Sequence, residues 1–503
     1  MEKSELPLED LHLEYKKASR NRIPKNMWET VSAFANTDGG TIVLGADENT
    51  STRELDITGI DDPSELITNL LNAQKSNNQI TPQAIFEKNI SIKKIDQKNL
   101  VYIYVPKNTS NRPVYLLGDM FNKTHIREKD SDRYANKDEI MLMLRDSANA
   151  IDSDLLDNIG IQDLNLNDIA KFKALIAETS KDSSIADMDT MEFLQSVGLA
   201  GKDYGSSDRT VKLNKAALLL LGKNEAITYF FPHFFLDFVT YKDTTSSDYT
   251  DRKYTSNDLI DPDNIFSFFN FVWDKFTYLI TNKFNLENEL IRKDQSTSIL
   301  IALREALVNT LVHADYLSSE QIKISVFPEF IEFTNPGEMR VSTSDFIRGG
   351  TSIARNPKLF NTFLKAKLGE HTGSGGKRIF SITRNLELKH PDISTNVEET
   401  NIKIWSIPDM ESFINTLKPE WRPAYSLFKK QLIISFGDVK DLYSTEYQAR
   451  KALTEMVDAG FISKEGNGKG TKYLVSPNSP IARKMTNKML SDINDVLVHT
   501  QID

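Results

Sequence analysis

The chain of 503 residues contains no cysteine. That absence removes disulfides, thiol nucleophiles, Cys-ligated zinc and iron–sulfur clusters together, so any metal must be held by oxygen or histidine ligands. The seven histidines form no H-x-x-x-H pair and signal no histidine metal site. The phosphate loop G-x-x-x-x-G-K-[ST] is missing too, which excludes motors built on it. Long apolar runs are absent: Ala216 to Leu221 is short, and Tyr229 to Val239 is broken by Pro232, His233 and Asp237, so neither spans a bilayer. The mixed charges of the first residues do not form a signal peptide, and the expectation is a cytoplasmic protein without membrane partners. A basic excess is also lacking. Lys plus Arg number 61 against 71 Asp plus Glu, a net charge of −10, which argues against a uniformly basic coat for nucleic acid but leaves room for local patches.

What is present is globular in proportion: 39% hydrophobic, 9% aromatic and 26% charged residues. At about 150 residues per domain the chain holds roughly three folded units. The patterning predicts an α/β multidomain protein. Residues 1–146 read as a mixed unit with a helix near Pro24 to Ala35, strands at Thr41 to Gly45 and Val101 to Val105, and a capped helix from Asn136 to Arg145. Residues 147–185, rich in Asp, Ser and Asn, read as a linker with a short helix near Ile169 to Ile176. Residues 186–295 form a middle lobe with a long aromatic helix at Ile265 to Phe284, favoured as part of the unit that follows. Residues 296–418 start with a helix at Ser296 to Val312 and continue through strands at Ile322 to Phe327 and Ile331 to Phe333. A compact segment at 419–490 closes the chain.

Two adjacent glycines in Asp38-Gly39-Gly40 join a helix to a strand, and they suit a tight helix exit at which the backbone comes close to a neighbour. Upstream stand Glu9 and Leu13-Glu14-Tyr15-Lys16, and the following strand ends in Gly45-Ala-Asp47-Glu48. The run from Ser32-Ala-Phe-Ala-Asn-Thr through Gly40, with these flanks, resembles the AlbA-like domain of Schlafen proteins and many bacterial regulators over about 140 residues. In nuclease members of that group three carboxylates hold a divalent cation. The resemblance nominates Glu9, Glu14 and Glu48, with Asp47 adjacent, as ligands of Mg²⁺ or Mn²⁺, and Lys16 beside them. Clustered carboxylate oxygens suit such ions, which polarise a phosphoryl oxygen and activate water. The alternative is that these acids are solvated strand ends or pair with Lys16 and Lys17. Many bacterial members are described only as nucleic-acid binding.

A second constellation begins with Glu305 and Asn309, four residues apart and so on one helix face. An amide oxygen can coordinate Mg²⁺ while a carboxylate orients or deprotonates water, although such a pair is usually only the wet side of a helix. Downstream come Asn335-Pro-Gly337, then Gly349-Gly-Thr-Ser, then Gly369-Glu-His-Thr-Gly-Ser-Gly-Gly-Lys-Arg378. This order resembles the divergent GHKL-type ATP-binding domain of the RecG-like family. The resemblance implies ATP with Mg²⁺ at Glu305 and Asn309, with Glu305 in the catalytic position. It places adenine reading at Asn335 and Gly337, and a phosphate lid at Gly373, Gly375 and Gly376. Three departures stand out: Asn335 where an Asp is usual, Ala314 where an Arg is expected, and a lid without strict glycine alternation. Binding is therefore expected to outweigh fast hydrolysis.

The C-terminal segment reads as helices at Tyr425 to Ile434, Asp438 to Leu442 and Ser444 to Asp458, then a hairpin to Val475. The phrase Ala452 to Ile462 followed by Gly466-Asn-Gly468 resembles a winged helix. Between 425 and 475 there are eight basic and six acidic residues, a mildly basic stretch in an acidic chain. Thr445, Gln448 and Arg450 fall in the expected recognition helix, and Lys464, Lys469 and Lys472 in the wing. Packing or dimerisation is the other use of such a unit, and a weak binder needs a homo-oligomer. The aromatic cluster Phe230 to Phe235 and Phe266 to Trp273 reads as core or subunit interface, not base stacking.

The resemblances together imply an ATP-binding protein acting on RNA or DNA. Either its head cleaves nucleic acid under nucleotide control, as in phage defence, or it is a non-catalytic, ATP-responsive, DNA-binding transcriptional regulator.

Overall fold

The computed structural model describes residues 7–476 except 8, 19–21, 50–53, 77–78, 148–150, 245–247, 259, 288–292, 370–372, 387, 408–413, 415–416, 430, 432 and 467. The end of the segment expected at 419–490 therefore lies outside the described residues.

The head starts with β1 (Leu13–Lys16), α1 (Met27–Asn36) and β2 (Gly40–Leu44), followed by the hairpin β3 (Ala46–Asn49) and β4 (Glu54–Ile57). Farther on, β5 (Ile90–Ile95) and β6 (Lys98–Val105) complete a four-stranded sheet of order β1-β2-β6-β5, in which β1 runs parallel to β2. Helix α1 is buried almost all round, so it reads as apolar without a polar stripe. Its Val31 and Phe34 pack on Ile42, Leu44, Ile103 and Val105. The exit from α1 needs its glycines. Gly39 has φ +77, and a Cβ on Gly40 would sit 2.8 Å from the Phe34 ring. The head ends with the hairpin β7 (His125–Glu128) and β8 (Ser131–Tyr134) and with α2 (Lys137–Asp146). Asn136 and Glu139 cap α2 reciprocally.

The next unit is built on one six-stranded sheet. Helix α3 (Leu166–Ser180) leads to β9 (Leu236–Tyr241), β10 (Tyr249–Tyr254), α4 (Ile265–Glu287) and α5 (Lys293–His313). Then come β11 (Ile322–Val326), β12 (Phe330–Pro336), α6 (Thr343–Arg348), α7 (Gly375–Asn385), β13 (Asp392–Thr395) and β14 (Glu399–Trp405). Strand order is β10-β9-β11-β12-β14-β13, with β9 parallel to β11. A single apolar core runs from Leu156 to Ile404 and includes Phe238, Phe268, Phe276, Leu307 and Phe333. The aromatic cluster of the middle lobe is part of this core. The segment 147–185, expected as a linker, supplies Ile169, Phe172 and Ile176 to it through α3. Asp152, 1% exposed, accepts hydrogen bonds from the Lys358 and Leu359 N–H groups at 2.7 and 2.9 Å, satisfying the start of the helix Pro357–Lys365.

The tail has its own core around Tyr425, Phe428, Leu453 and Met456. The first helix expected there, Tyr425 to Ile434, is shorter: helical turns end at Lys429, and Ile433–Ser435 forms β15. Helices α8 (Phe436–Lys440) and α9 (Glu446–Asp458) and strands β16 (Ile462–Glu465) and β17 (Lys472–Val475) complete it, with sheet order β15-β17-β16.

Candidate functional site

The carboxylates of the head gather at the β1 end of the sheet. Glu9 accepts a hydrogen bond from the Tyr15 N–H at 2.8 Å, and its own N–H donates to Glu48 Oε2 at 2.7 Å. Burial pushes the Glu9 carboxyl up to about 7, and the nearby Glu14 and Glu48 carboxylates add to this. Glu14 lies between cations: Lys16 Nζ is 2.9 Å from one oxygen and Arg127 Nη2 2.8 Å from the other. Strand alternation buries Glu48 and turns Asp47 to the surface. Lys16 is 5% exposed, whereas Lys17 is exposed. Oxygen donors suit Mg²⁺ or Mn²⁺, yet among the described residues no group of three or more His, Asp or Glu is spaced to hold a metal ion. Arg127, which the sequence offered no reason to choose, is the main balancing charge: it also pairs with Asp132 at 2.9 Å and lies over the Phe34 ring.

The second constellation converges on a pocket of the six-stranded unit. Asn309, His313, Asn335, Gly373, Gly375 and Gly376 line it, drawn from α5, β12 and the start of α7. Glu305, one turn before Asn309, is 3% exposed and has Arg378 at 3.6 Å. The Asn309 amide nitrogen is buried without a hydrogen-bond partner among the described residues. The Asn335 amide nitrogen donates to the Pro336 carbonyl at 3.1 Å, which leaves its oxygen as the group available to a ligand. Gly337 takes φ +90, and a Cβ there would lie 2.8 Å from Arg355. His313 is pushed down to about 4 by burial, with Arg355 and Arg340 adding to the effect, so it is a neutral imidazole at pH 7.

The lid glycines have packing duties. Gly375 and Gly376 open α7, where a Cβ on Gly375 would sit 3.0 Å from both Asn309 and Glu305. One on Gly376 would sit 2.3 Å from the Phe346 carbonyl oxygen. His371 and its neighbours at 370–372 lie outside the described residues. The cavity is about 70 Å³, far smaller than a pocket that encloses a nucleotide. The sequence did not point to Glu338, Arg340, Thr351 or Thr400 in this lining. Their only signal was position just after Pro336-Gly337 and Gly349-Gly350, or on the neighbouring strand.

On the tail, Thr445 caps α9 by accepting from the Gln448 N–H at 3.3 Å. Gln448, Arg450, Lys464 and Lys472 are exposed, and Arg450 lies 3.8 Å over the Phe436 ring. Of the Lys469 side chain nothing is described. Tyr447, unremarked in the sequence, is 75% exposed on the same helix.

Among the described residues no helix is long and apolar enough to cross a membrane. A search of curated proteins finds no match. Among solved structures, the DIP2311 protein of Corynebacterium diphtheriae aligns at 17% identity over 92% of each chain, with a TM-score of 0.39. The N-terminal domain of a "Putative ATP-dependent DNA Helicase RecG-related Protein" of Nitrosomonas europaea aligns at 25% identity over 24% of this chain and 82% of its own, with a TM-score of 0.19. A domain of unknown function matches residues 141–237. The head, over residues 9–136, matches the family "Schlafen, AlbA_2", and residues 319–404 of the six-stranded unit match the family "Putative ATP-dependent DNA helicase recG C-terminal".

Proposed function

We propose that this chain binds ATP in the Asn309 pocket and acts on nucleic acid through its head and tail. The observation that carries the reading is convergence: Asn309, Asn335 and the glycines at 373, 375 and 376 come from segments far apart in sequence and line one pocket. The two family matches lie over the units that would do each job. Asn309 and Glu305 present the oxygens that would hold Mg²⁺ beside a triphosphate, an ion that neutralises phosphate charge. Asn335 accepts from the adenine amino group, and neutral His313 supplies an uncharged hydrogen-bonding wall. Titration calorimetry with ATP and Mg²⁺ tests this. Wild type binds, and Asn309→Ala combined with Gly375→Ala weakens binding at least tenfold; equal affinity refutes the pocket.

A catalytic head is the more specific reading, favoured by the shared electrostatics of Glu9, Glu14 and Glu48. For a cation to be held there, Glu14 has to exchange Lys16 or Arg127 for it. The assay is cleavage of labelled tRNA, single-stranded and duplex DNA with Mn²⁺ or Mg²⁺, with and without ATP. Cleavage lost in Glu14→Ala supports a nuclease, as a defence effector would need. Binding without cleavage in every condition leaves the transcriptional regulator.

A further inference from the structure

The pocket and the head share a wall. Glu338 lines the Asn309 pocket and also the cleft of about 750 Å³ between head and sheet unit, whose lining it shares with Asp38, Arg127 and Ile393. Its carboxylate is 2.6 Å from Lys107 and also pairs with Arg112, both head residues that are buried with it. Burial opposes the charge, but Arg112 and Lys107 outweigh it and hold the Glu338 carboxyl below its usual range. Five residues on, Asp38 of the glycine turn accepts from the Thr343 N–H at 2.9 Å and from the Thr343 hydroxyl. Between them Arg340 donates to the Asp146 carbonyl at the end of α2, so residues 338–346 are pinned to the head at three points, while Glu338, Met339, Arg340, Val341 and Phe346 wall the pocket.

From Glu338 the contacts continue to the carboxylates. Arg112 donates to the Asn36 carbonyl, Thr37 Oγ1 accepts from the Arg127 N–H at 2.9 Å, and Arg127 holds Glu14. Asn36 and Thr37 are joined by the backbone and the remaining contacts are hydrogen bonds or ion pairs, so displacement at one end has a physical route to the other.

We propose that segment 338–346 couples the two sites: admitting a nucleoside triphosphate displaces this strap, loosens its bonds to the head and so alters the setting of Glu14. This rests on the nucleotide reading above. The argument is volumetric. A triphosphate cannot enter about 70 Å³, and of the remaining walls α5 and the sheet are fixed by the core, so the strap, the loop at Thr351 to Ile353 and the lid are what can give. A ligand shifts a conformational balance only by binding one state better, and here the better state is the one with the strap drawn off the head.

Because the strap's bonds to the head oppose entry, weakening them strengthens binding. Asp38→Asn and Thr343→Val, which keep side-chain shape and lie outside the pocket lining, are expected to tighten ATP binding at least fivefold, the lower range of site-to-site coupling. Their melting curves check that they fold. In wild type, ATP raises amide exchange in residues 36–39 and 125–128, and Asn309→Ala abolishes the rise. If ATP binds wild type but both variants bind it equally or more weakly, or exchange in the head does not change, the coupling is wrong while the nucleotide reading stands. No ATP binding by wild type overturns both.

Discussion

Charge at single residues sets the behaviour of the head. Glu9 is more easily protonated folded than unfolded, because its pKa is raised from 4.5 to about 7. Its contribution to stability is therefore full below about pH 4.5 and is lost as pH rises through 7. Thermal melts between pH 5 and 8 are expected to show a downward slope with rising pH that flattens in Glu9→Gln. Arg127 has the opposite role, balancing Glu14 and Asp132 from a buried position. Arg127→Met is expected to cost roughly 2–3 kcal/mol in chemical denaturation, since the partly buried Asp132 loses its guanidinium and Glu14 one of its two cations. The nomination of Glu14 was readable from Leu13-Glu14-Tyr15-Lys16. Its neutralisation was not, because Arg127 is 113 residues away in sequence and nothing in its own surroundings announces the pairing.

At the scale of elements, periodicity did well where a helix was long. Helices α1, α4 and α5 lie where their apolar spacing put them, and the capping residue of α2 was visible at Asn136, though not its reciprocal partner Glu139. The tail's first helix was drawn too long because Leu432-Ile-Ile is a short apolar run, which fits a strand as well as a helix turn. Only its pairing with β17 decides the matter. The lid glycines show a second limit. Their number was legible, but their work includes bringing α7 against α5 and α6. Gly376→Ala drives a methyl into the Phe346 backbone and is expected to destabilise the fold by about 1–3 kcal/mol, read by urea unfolding.

For the whole molecule, composition gave a count of units but not their edges. Strand β9 comes from the middle lobe and β11 from the unit after it, yet the two pair in parallel within one sheet. No local pattern could reveal that, since the pairing spans the long helices α4 and α5. A fragment of residues 186–418 lacks Leu156, Leu164, Ile169, Phe172 and Ile176 of the shared core. Losses of about 2–5 kcal/mol for each large core side chain exceed the usual margin of a domain. Such a fragment is expected to aggregate on expression, whereas 151–418 stays soluble; size-exclusion chromatography separates the outcomes.

The buried trio of Lys107, Arg112 and Glu338 bears on how such a protein can be rebuilt. Two cations on one domain and an anion on the other form a lock with a matching key, out of reach of solvent. Grafting a different head onto this sheet unit, without its own equivalents of Lys107 and Arg112, would strand a carboxylate in a dry joint. Heads and sheet units of this kind are thus interchangeable only as matched sets, and a chimera that ignores the pairing fails at the seam before any question of activity arises.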